Sequence, residues 1–195
     1  YSGLSGTSVY WDFVELPSQI MENWCYQPEA LEIFARHFES DEVIPFDFIE
    51  KIKKTAHFQQ GLQTIRQLGF GFLDLSYHGK NAMEISDVKT HELEILKKIQ
   101  FTPDSPENAA STAFSHIFQG GYSAGYYSYK WAEVLDADAF ELFLEKGIFD
   151  KETAQSFLDN ILSKGGTEHP MKLYKRFRGK TPDPTALLKR AGLAK

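Results

Sequence analysis

Val9-Tyr10-Trp11-Asp12-Phe13-Val14-Glu15-Leu16-Pro17-Ser18-Gln19-Ile20-Met21-Glu22-Asn23-Trp24 carries the pattern that decides the fold class. Val9, Phe13, Leu16, Ile20 and Trp24 recur at gaps of 4, 3, 4 and 4, the spacing of one apolar stripe on an α-helix. Asp12, Glu15, Gln19 and Glu22 recur at gaps of 3, 4 and 3 and form a polar row on another face. Pro17 lies inside the pattern and removes one backbone hydrogen bond, so a kink is expected near Phe13 to Leu16. A carboxylate row beside a kink makes this helix a candidate site.

The same period recurs along the chain. Pro28 suits a first helical turn and opens a helix expected to reach Phe38, with Leu31, Phe34, Ala35 and Phe38 inward. Pro45 opens another, expected to run to about Gln60. Gly61 weakens the pattern, but a mostly apolar segment continues from Leu62 to His78. Its length reads as a buried helix rather than a strand around Gly69-Phe70-Gly71-Phe72. Ser86 or Thr90 caps a further helix ending near Ile99, and Pro103 and Pro106 mark a loop. The longest pattern runs from about Tyr122 to Lys146 and stops at Gly147. Asp150 caps the next helix, which stops at Gly165-Gly166, and Pro170 and Pro184 open two short closing helices. Period-2 alternation is almost absent, and no repeat or linker stands out. The expectation is an all-α, multi-helical fold in one domain spanning residues 1–195.

Composition narrows the function. The 195 residues are 42% hydrophobic and 25% charged, the balance of a folded chain that needs no metal or disulfide to hold a core. Aromatic residues make up 14%, with 16 Phe and 9 Tyr, which points to a thick core or a ring-lined cleft. A net charge of -6 argues against broad attraction to nucleic acid or anionic lipid. The basic run Lys172, Lys175, Arg176, Arg178 and Lys180, interleaved with Leu173, Tyr174 and Phe177, reads as a solvated helix face. No apolar run approaches the ~20 residues of a membrane span. The single cysteine, Cys25, reads as a packed or inert thiol and fits a reducing compartment, so a cytoplasmic location is expected, with periplasmic or secreted locations left open. The chain opens Tyr1-Ser2-Gly3 without Met, and is expected to be a fragment of a longer polypeptide.

Two stretches can carry chemistry. Tyr122, Tyr126 and Tyr129 are spaced i, i+4, i+7 and are expected on one helix face, with Tyr127 pointing elsewhere. Such a stripe is ordinary in a core, but several phenols together favour a polar cleft, because buried hydroxyls need partners. Gly120, Gly121 and Gly125 allow close backbone approach or hinge motion beside them. His116 reads either as a core histidine or as part of that cleft. Ser111, Ser115 and Ser123 lie near it, but no Asp completes a triad, which argues against serine hydrolysis. Phe114, Phe118, Trp131, Phe140 and Phe143 read as core or as subsite.

The stretch from Ser5 to Gln19, with its Asp12-Phe13-Val14-Glu15-Leu16-Pro17-Ser18-Gln19 core, resembles the segment that follows the zinc-binding helix in the thimet oligopeptidase family of metallopeptidases. His116-Ile117-Phe118-Gln119-Gly120-Gly121-Tyr122-Ser123-Ala124-Gly125-Tyr126-Tyr127-Ser128-Tyr129, followed by Trp131, is similar to the bacterial peptidyl-dipeptidase and oligopeptidase A branch. Arg176-Phe177-Arg178-Gly179, leading to Asp183-Pro184 and Leu187-Leu188, is a third match. The resemblance covers the whole chain and implies the C-terminal, helical part of a zincin-like enzyme.

That family holds zinc with His-Glu-x-x-His on one helix, and this chain has no two His four residues apart. His91-Glu92-Leu93-Glu94-Ile95 comes nearest but has Ile where the second ligand belongs, and reads as an ordinary helix. The resemblance implies Glu15 as the third zinc ligand, Tyr129 as donor to the oxyanion, and His116 and Tyr122 as substrate contacts. It implies zinc-dependent hydrolysis of short peptides by the whole polypeptide, as peptidyl-dipeptidase or oligopeptidase, with the N-terminal part of the same polypeptide as partner. The chain alone is expected to be inactive and to hold zinc weakly, since it offers one ligand of three. The alternative is a non-catalytic helical binding or structural module that keeps the tyrosine-lined cleft.

Overall fold

The computed structural model describes residues 1–102, 105 and 107–194. The loop expected at Pro103 and Pro106 falls on positions outside those described. The α-helices are α1 (Trp11–Val14), α2 (Leu16–Glu22), α3 (Pro28–Phe34), α4 (Phe46–Thr55), α5 (Gln60–Tyr77), α6 (Val88–Leu96), α7 (Ala110–Ala113), α8 (Ser115–Phe118), α9 (Ser128–Lys146), α10 (Lys151–Phe157), α11 (Pro170–Arg178) and α12 (Thr185–Arg190). Among the described residues there is no strand, only one isolated antiparallel bridge between Arg36 and Val43. The fold is all-α, as the periodicity predicts. The chain divides into two compact units: residues 1–58 with the part from Trp131 onward, and residues 59–130.

In the larger unit the apolar stripe behaves as read. Phe13, Leu16 and Ile20 are buried, and Val9 and Trp24 pack at the edges of the same core. That core is completed by Leu135, Ala139, Phe140 and Phe143 of α9, Phe157 of α10, and Leu173, Tyr174 and Phe177 of α11. The expected kink is sharper than a bend. The helix breaks at Glu15 (φ -86°, ψ -5°) into α1 and α2, and Pro17 occupies the first turn of α2, where its missing N–H costs nothing.

Two buried carboxylates organise this unit. Asp136 is paired with Arg190 and accepts from Asn23 Nδ2 at 2.9 Å, which ties α12 to α2 and α9. Asp138 Oδ2 accepts from the Tyr174 hydroxyl at 2.8 Å, and its carboxylate pairs with Lys180 at 2.9 Å and Arg178 at 3.5 Å. Burial, then that hydrogen bond, push the Tyr174 phenol far above its ordinary value. The basic face is therefore solvated only in part: Lys172, Lys175 and Arg176 are exposed, but the Arg178 side chain is 9% exposed and donates to the Asp138 carbonyl at 2.7 Å.

Several local expectations are corrected. Helix α3 ends at Phe34, where Ala35 leaves helical geometry, so Phe34 and Phe38 are exposed rather than inward. Asp87, not Ser86 or Thr90, caps α6, accepting from the Thr90 N–H at 2.7 Å. Cys25 is exposed rather than packed. The longest helix begins at Ser128, six residues later than the pattern suggests, and ends as expected before Gly147 (φ +112°). Asp150 caps α10 as read, accepting from Thr153 N–H at 2.8 Å and from its hydroxyl at 2.7 Å.

The first residues lie along the turn at Gly165-Gly166. A Cβ on Gly165 (φ +49°) would collide with the carbonyls of Leu4 and Ser5, and one on Gly166 with the carbonyl of Ser8. Only glycine admits that approach of backbone to backbone. The glycine pair expected to stop a helix therefore seats the segment leading to Glu15.

Candidate functional site

The smaller unit is built on α5, whose apolar run buries Gly69, Gly71 and Leu73. Leu73 packs with Phe114 and Ile117, and Phe70, Tyr77, Ile95, Tyr122 and Tyr126 surround them. Two carboxylates are fully buried here. Glu92 of α6 accepts from Ala110 N–H at 3.1 Å, from Ser111 N–H at 2.7 Å and from the Ser111 hydroxyl at 2.5 Å. Asp74 of α5 accepts from Ala124 N–H and Tyr126 N–H, each at 2.8 Å, and from His78 Nδ1 at 2.9 Å. The first receives the start of α7 and the second the turn before α9. The segment between carries His116 and Tyr122.

That segment brings together the three residues expected here. Tyr122 and Tyr129 stack with ring centroids 5.1 Å apart and planes 21° apart. His116 lies 6.1 Å from Tyr122 and 6.3 Å from Tyr129. His116 is exposed and both tyrosines are half-buried, so the set faces the surface of its unit rather than a sealed core. The route differs from the expected one. Tyr122 and Tyr126 precede α9 and lie in a chain of turns, with Gly121 at φ +83° and Ala124 at φ +55°, and only Tyr129 is helical. A folded turn, not a helical stripe, gathers the rings. Tyr127 is exposed, pointing apart as read.

Tyr126 completes the set on its inner side, 5.1 Å from Tyr129 and 4.9 Å edge-on from Phe114. Burial, then the neighbouring Tyr129, raise its phenol above the ordinary value, so it stays a neutral donor. Glu92 moves the other way. Burial opposes its ionisation, but the Ser111 and Ala110 hydrogen bonds and the Lys89 charge outweigh that, and the carboxyl lies below its ordinary value. Its capacity is spent on Ser111 and Ala110, which is the structural content of the His91-Glu92 pair. Phe114, Phe140 and Phe143 are core, while Phe118 and Trp131 are exposed.

Glu15 belongs to the larger unit. It is half-buried at the junction of α1 and α2, and its Oε2 accepts from the Ser18 hydroxyl at 2.8 Å. Beside the segment leading to it, a recess of about 280 Å³ is lined by Ser8, Val9, Tyr10, Gly166, Glu168 and Pro170. Among the described residues no three His, Cys, Asp or Glu side chains converge to hold a metal ion. A catalytic zinc takes three protein ligands, and no such set is assembled among the described residues.

Asp74 was missed from the sequence. The signal was present, since it is the one acidic residue in the apolar run from Leu62 to His78. A carboxylate in a buried helix needs donors. Nothing in the spacing says that those donors come from residues 50 and 52 positions later.

Comparison with known proteins agrees with the motifs. The pattern of Peptidase family M3 matches residues 1–193. Oligopeptidase A of Salmonella typhimurium is 48% identical over 193 residues, which are 98% of this chain and 28% of that protein. Organellar oligopeptidase A of Arabidopsis thaliana is 44% identical over 194 residues, covering 95% of this chain and 24% of that protein. Dipeptidyl carboxypeptidase of Escherichia coli is 36% identical over 195 residues, covering 99% and 29%. This chain thus spans less than a third of the length of these relatives. No helix among the described residues is long and apolar enough to cross a membrane. With a match running from the first residue almost to the last, the chain belongs to Peptidase family M3.

Proposed function

We propose that the polypeptide to which this chain belongs hydrolyses short peptides, and that the His116, Tyr122 and Tyr129 set contacts the substrate. The observation that carries this reading is the convergence of those three side chains on one exposed surface, with the two phenols stacked at 5.1 Å. Their neighbour Tyr126 is held neutral by burial. A neutral phenol donates a hydrogen bond to a peptide carbonyl oxygen as negative charge develops there, with no change of its own charge near pH 7. Tyr129 is assigned that task. Tyr122 supplies a flat face for the substrate backbone, and His116 closes the edge of the set.

Glu15 is assigned one ligand position of a zinc ion whose remaining protein ligands lie outside this chain. Its seat between α1 and α2 and the Ser18 hydroxyl on Oε2 restrict how the carboxylate turns. When bound, zinc supplies Lewis-acid polarisation and a more acidic water. Identity is higher to the oligopeptidase A proteins than to dipeptidyl carboxypeptidase, which favours an oligopeptidase.

The test is hydrolysis of internally quenched peptides of about five to fifteen residues by the full-length protein, with products identified by mass spectrometry. Cleavage that metal chelation abolishes and zinc restores is expected, with zinc content lowered in Glu15→Gln. Binding of peptides without cleavage, in protein loaded with zinc, replaces this reading with the non-catalytic module.

A further inference from the structure

We propose that Asp74 is the positioning residue of the tyrosine set: from the buried face of α5 it holds the backbone turn that aims Tyr126 and Tyr129. The proposal rests on the substrate-contact reading above. Its first support is geometric. Both carboxylate oxygens of Asp74 are engaged by backbone donors two residues apart, Oδ1 by Ala124 N–H and Oδ2 by Tyr126 N–H, each at 2.8 Å. Alternate amides, at residues 124 and 126, aimed at one carboxylate require a turn of fixed shape. Ala124 adopts φ +55°, a region that a residue with a Cβ rarely occupies unless its surroundings hold it there.

The second support is where the turn leads. Tyr126 O accepts from Tyr129 N–H at 3.3 Å, and Gly125 O from Ser128 N–H at 3.0 Å, so the turn sets the first residues of α9. Tyr129 is the second residue of that helix and stacks on Tyr122. His78 Nδ1 lies 2.9 Å from Asp74 Oδ1 and fixes the carboxylate in turn. Asp74 itself is fully buried, and its carboxylate meets the set through the backbone amides of Ala124 and Tyr126, so it acts on the substrate through the turn.

Asp74→Asn is nearly isosteric but replaces one acceptor oxygen by an NH2 group. One of the two backbone amides then faces a donor, and the turn relaxes. The experiment labels the full-length protein with 3-fluorotyrosine, assigns the resonances by single Tyr→Phe changes, and measures peptide hydrolysis in parallel. In folded D74N the Tyr122, Tyr126 and Tyr129 resonances are expected to shift or broaden, while that of Tyr174 stays. The kcat is expected to fall about 10- to 100-fold with KM within about twofold, the consequence of a displaced but intact donor.

Unmoved resonances in folded D74N overturn the proposal, as do moved resonances with unchanged kcat. Where D74N does not fold, amide exchange in the wild-type protein decides. Slow exchange at Ala124 and Tyr126 supports the clamp, and exchange at the rate of an open loop overturns it. A wild-type protein that cleaves no peptide removes the substrate-contact reading instead. The fluorine spectra then still report whether Asp74 orders the rings.

Discussion

Tyr129 illustrates what one hydroxyl is asked to do. In Tyr129→Phe the ring still stacks on Tyr122 and still meets Tyr126, so folding should change little. On the proposed assignment, the lost partner is an oxygen that gains charge only on the way to the transition state. The loss should therefore fall on kcat by about 10²–10³, roughly 3–4 kcal/mol, with KM nearly unchanged. Steady-state constants on a quenched peptide, with zinc content measured in each variant, check this. A raised KM at constant kcat would instead mark Tyr129 as a ground-state contact. Glu92 is the opposite kind of residue, buried and already satisfied by three donors around Ser111 and Ala110. Glu92→Gln keeps the shape but turns one acceptor into a donor facing an N–H or a hydroxyl. A loss of about 1–3 kcal/mol in urea unfolding is expected, with the ring set otherwise intact.

At the scale of elements, glycine and proline decide where helices break and what the breaks present. Pro17 sits where a helix start tolerates it, and the junction it enforces leaves Glu15 at the turn between α1 and α2. Gly165 does comparable work across the unit, admitting the Leu4 and Ser5 carbonyls against its own backbone at φ +49°. Gly165→Ala combines left-handed strain with a backbone collision that no side-chain rotation relieves. It should cost about 1–3 kcal/mol or more, lowering Tm by several degrees in a chain of this size. Thermal unfolding of G165A against Gly147→Ala, whose Cβ meets nothing, separates collision from strain, because both positions have positive φ. Equal losses in the two variants would leave the close approach without energetic weight.

For the whole molecule the carboxylates set the response to acid. Glu92 is held below its ordinary value by its hydrogen bonds against the cost of burial. The capping bonds of Thr90 on Asp87 and of Thr153 on Asp150 lower those two as well. A carboxyl whose folded value is depressed contributes stability that is fully present above its unfolded value. That contribution is lost as pH falls through the folded value. Stability to urea should therefore be level from pH 7 to about 5 and fall below about 4, with a shallower fall in E92Q, which removes one of these groups. A slope in E92Q equal to that of the wild type would deny Glu92 this part. Metal analysis belongs to the same scale. On the proposed assignment the 195-residue chain offers one ligand position of a zinc shell, and it should retain well under one equivalent of zinc after dialysis. One tightly held zinc per chain would contradict the assignment of Glu15 to a shared shell.

The helical class, the buried stripe from Val9 to Trp24, the break near Pro17 and the Asp150 cap were legible in sequence, because each depends on neighbours within about one helical turn. The family was legible too, since its stretches are continuous. Other features depended on contacts distant in the chain. After α3 ends at Phe34 the chain pairs Arg36 with Val43, and Phe38 lies exposed between them, an arrangement that no 3.6-residue period records. The tyrosine spacing predicts one helix face, yet a turn bonded to Asp74 from 50 residues away gathers them. Arg178 read as solvated until Asp138, 40 residues earlier, proved to accept from it inside the core. Periodicity reports which side of an element avoids water. Which distant donor satisfies a buried carboxylate is settled only when the chain has folded, because the cost of leaving that charge unpaired is felt by the packed interior and not by the local segment.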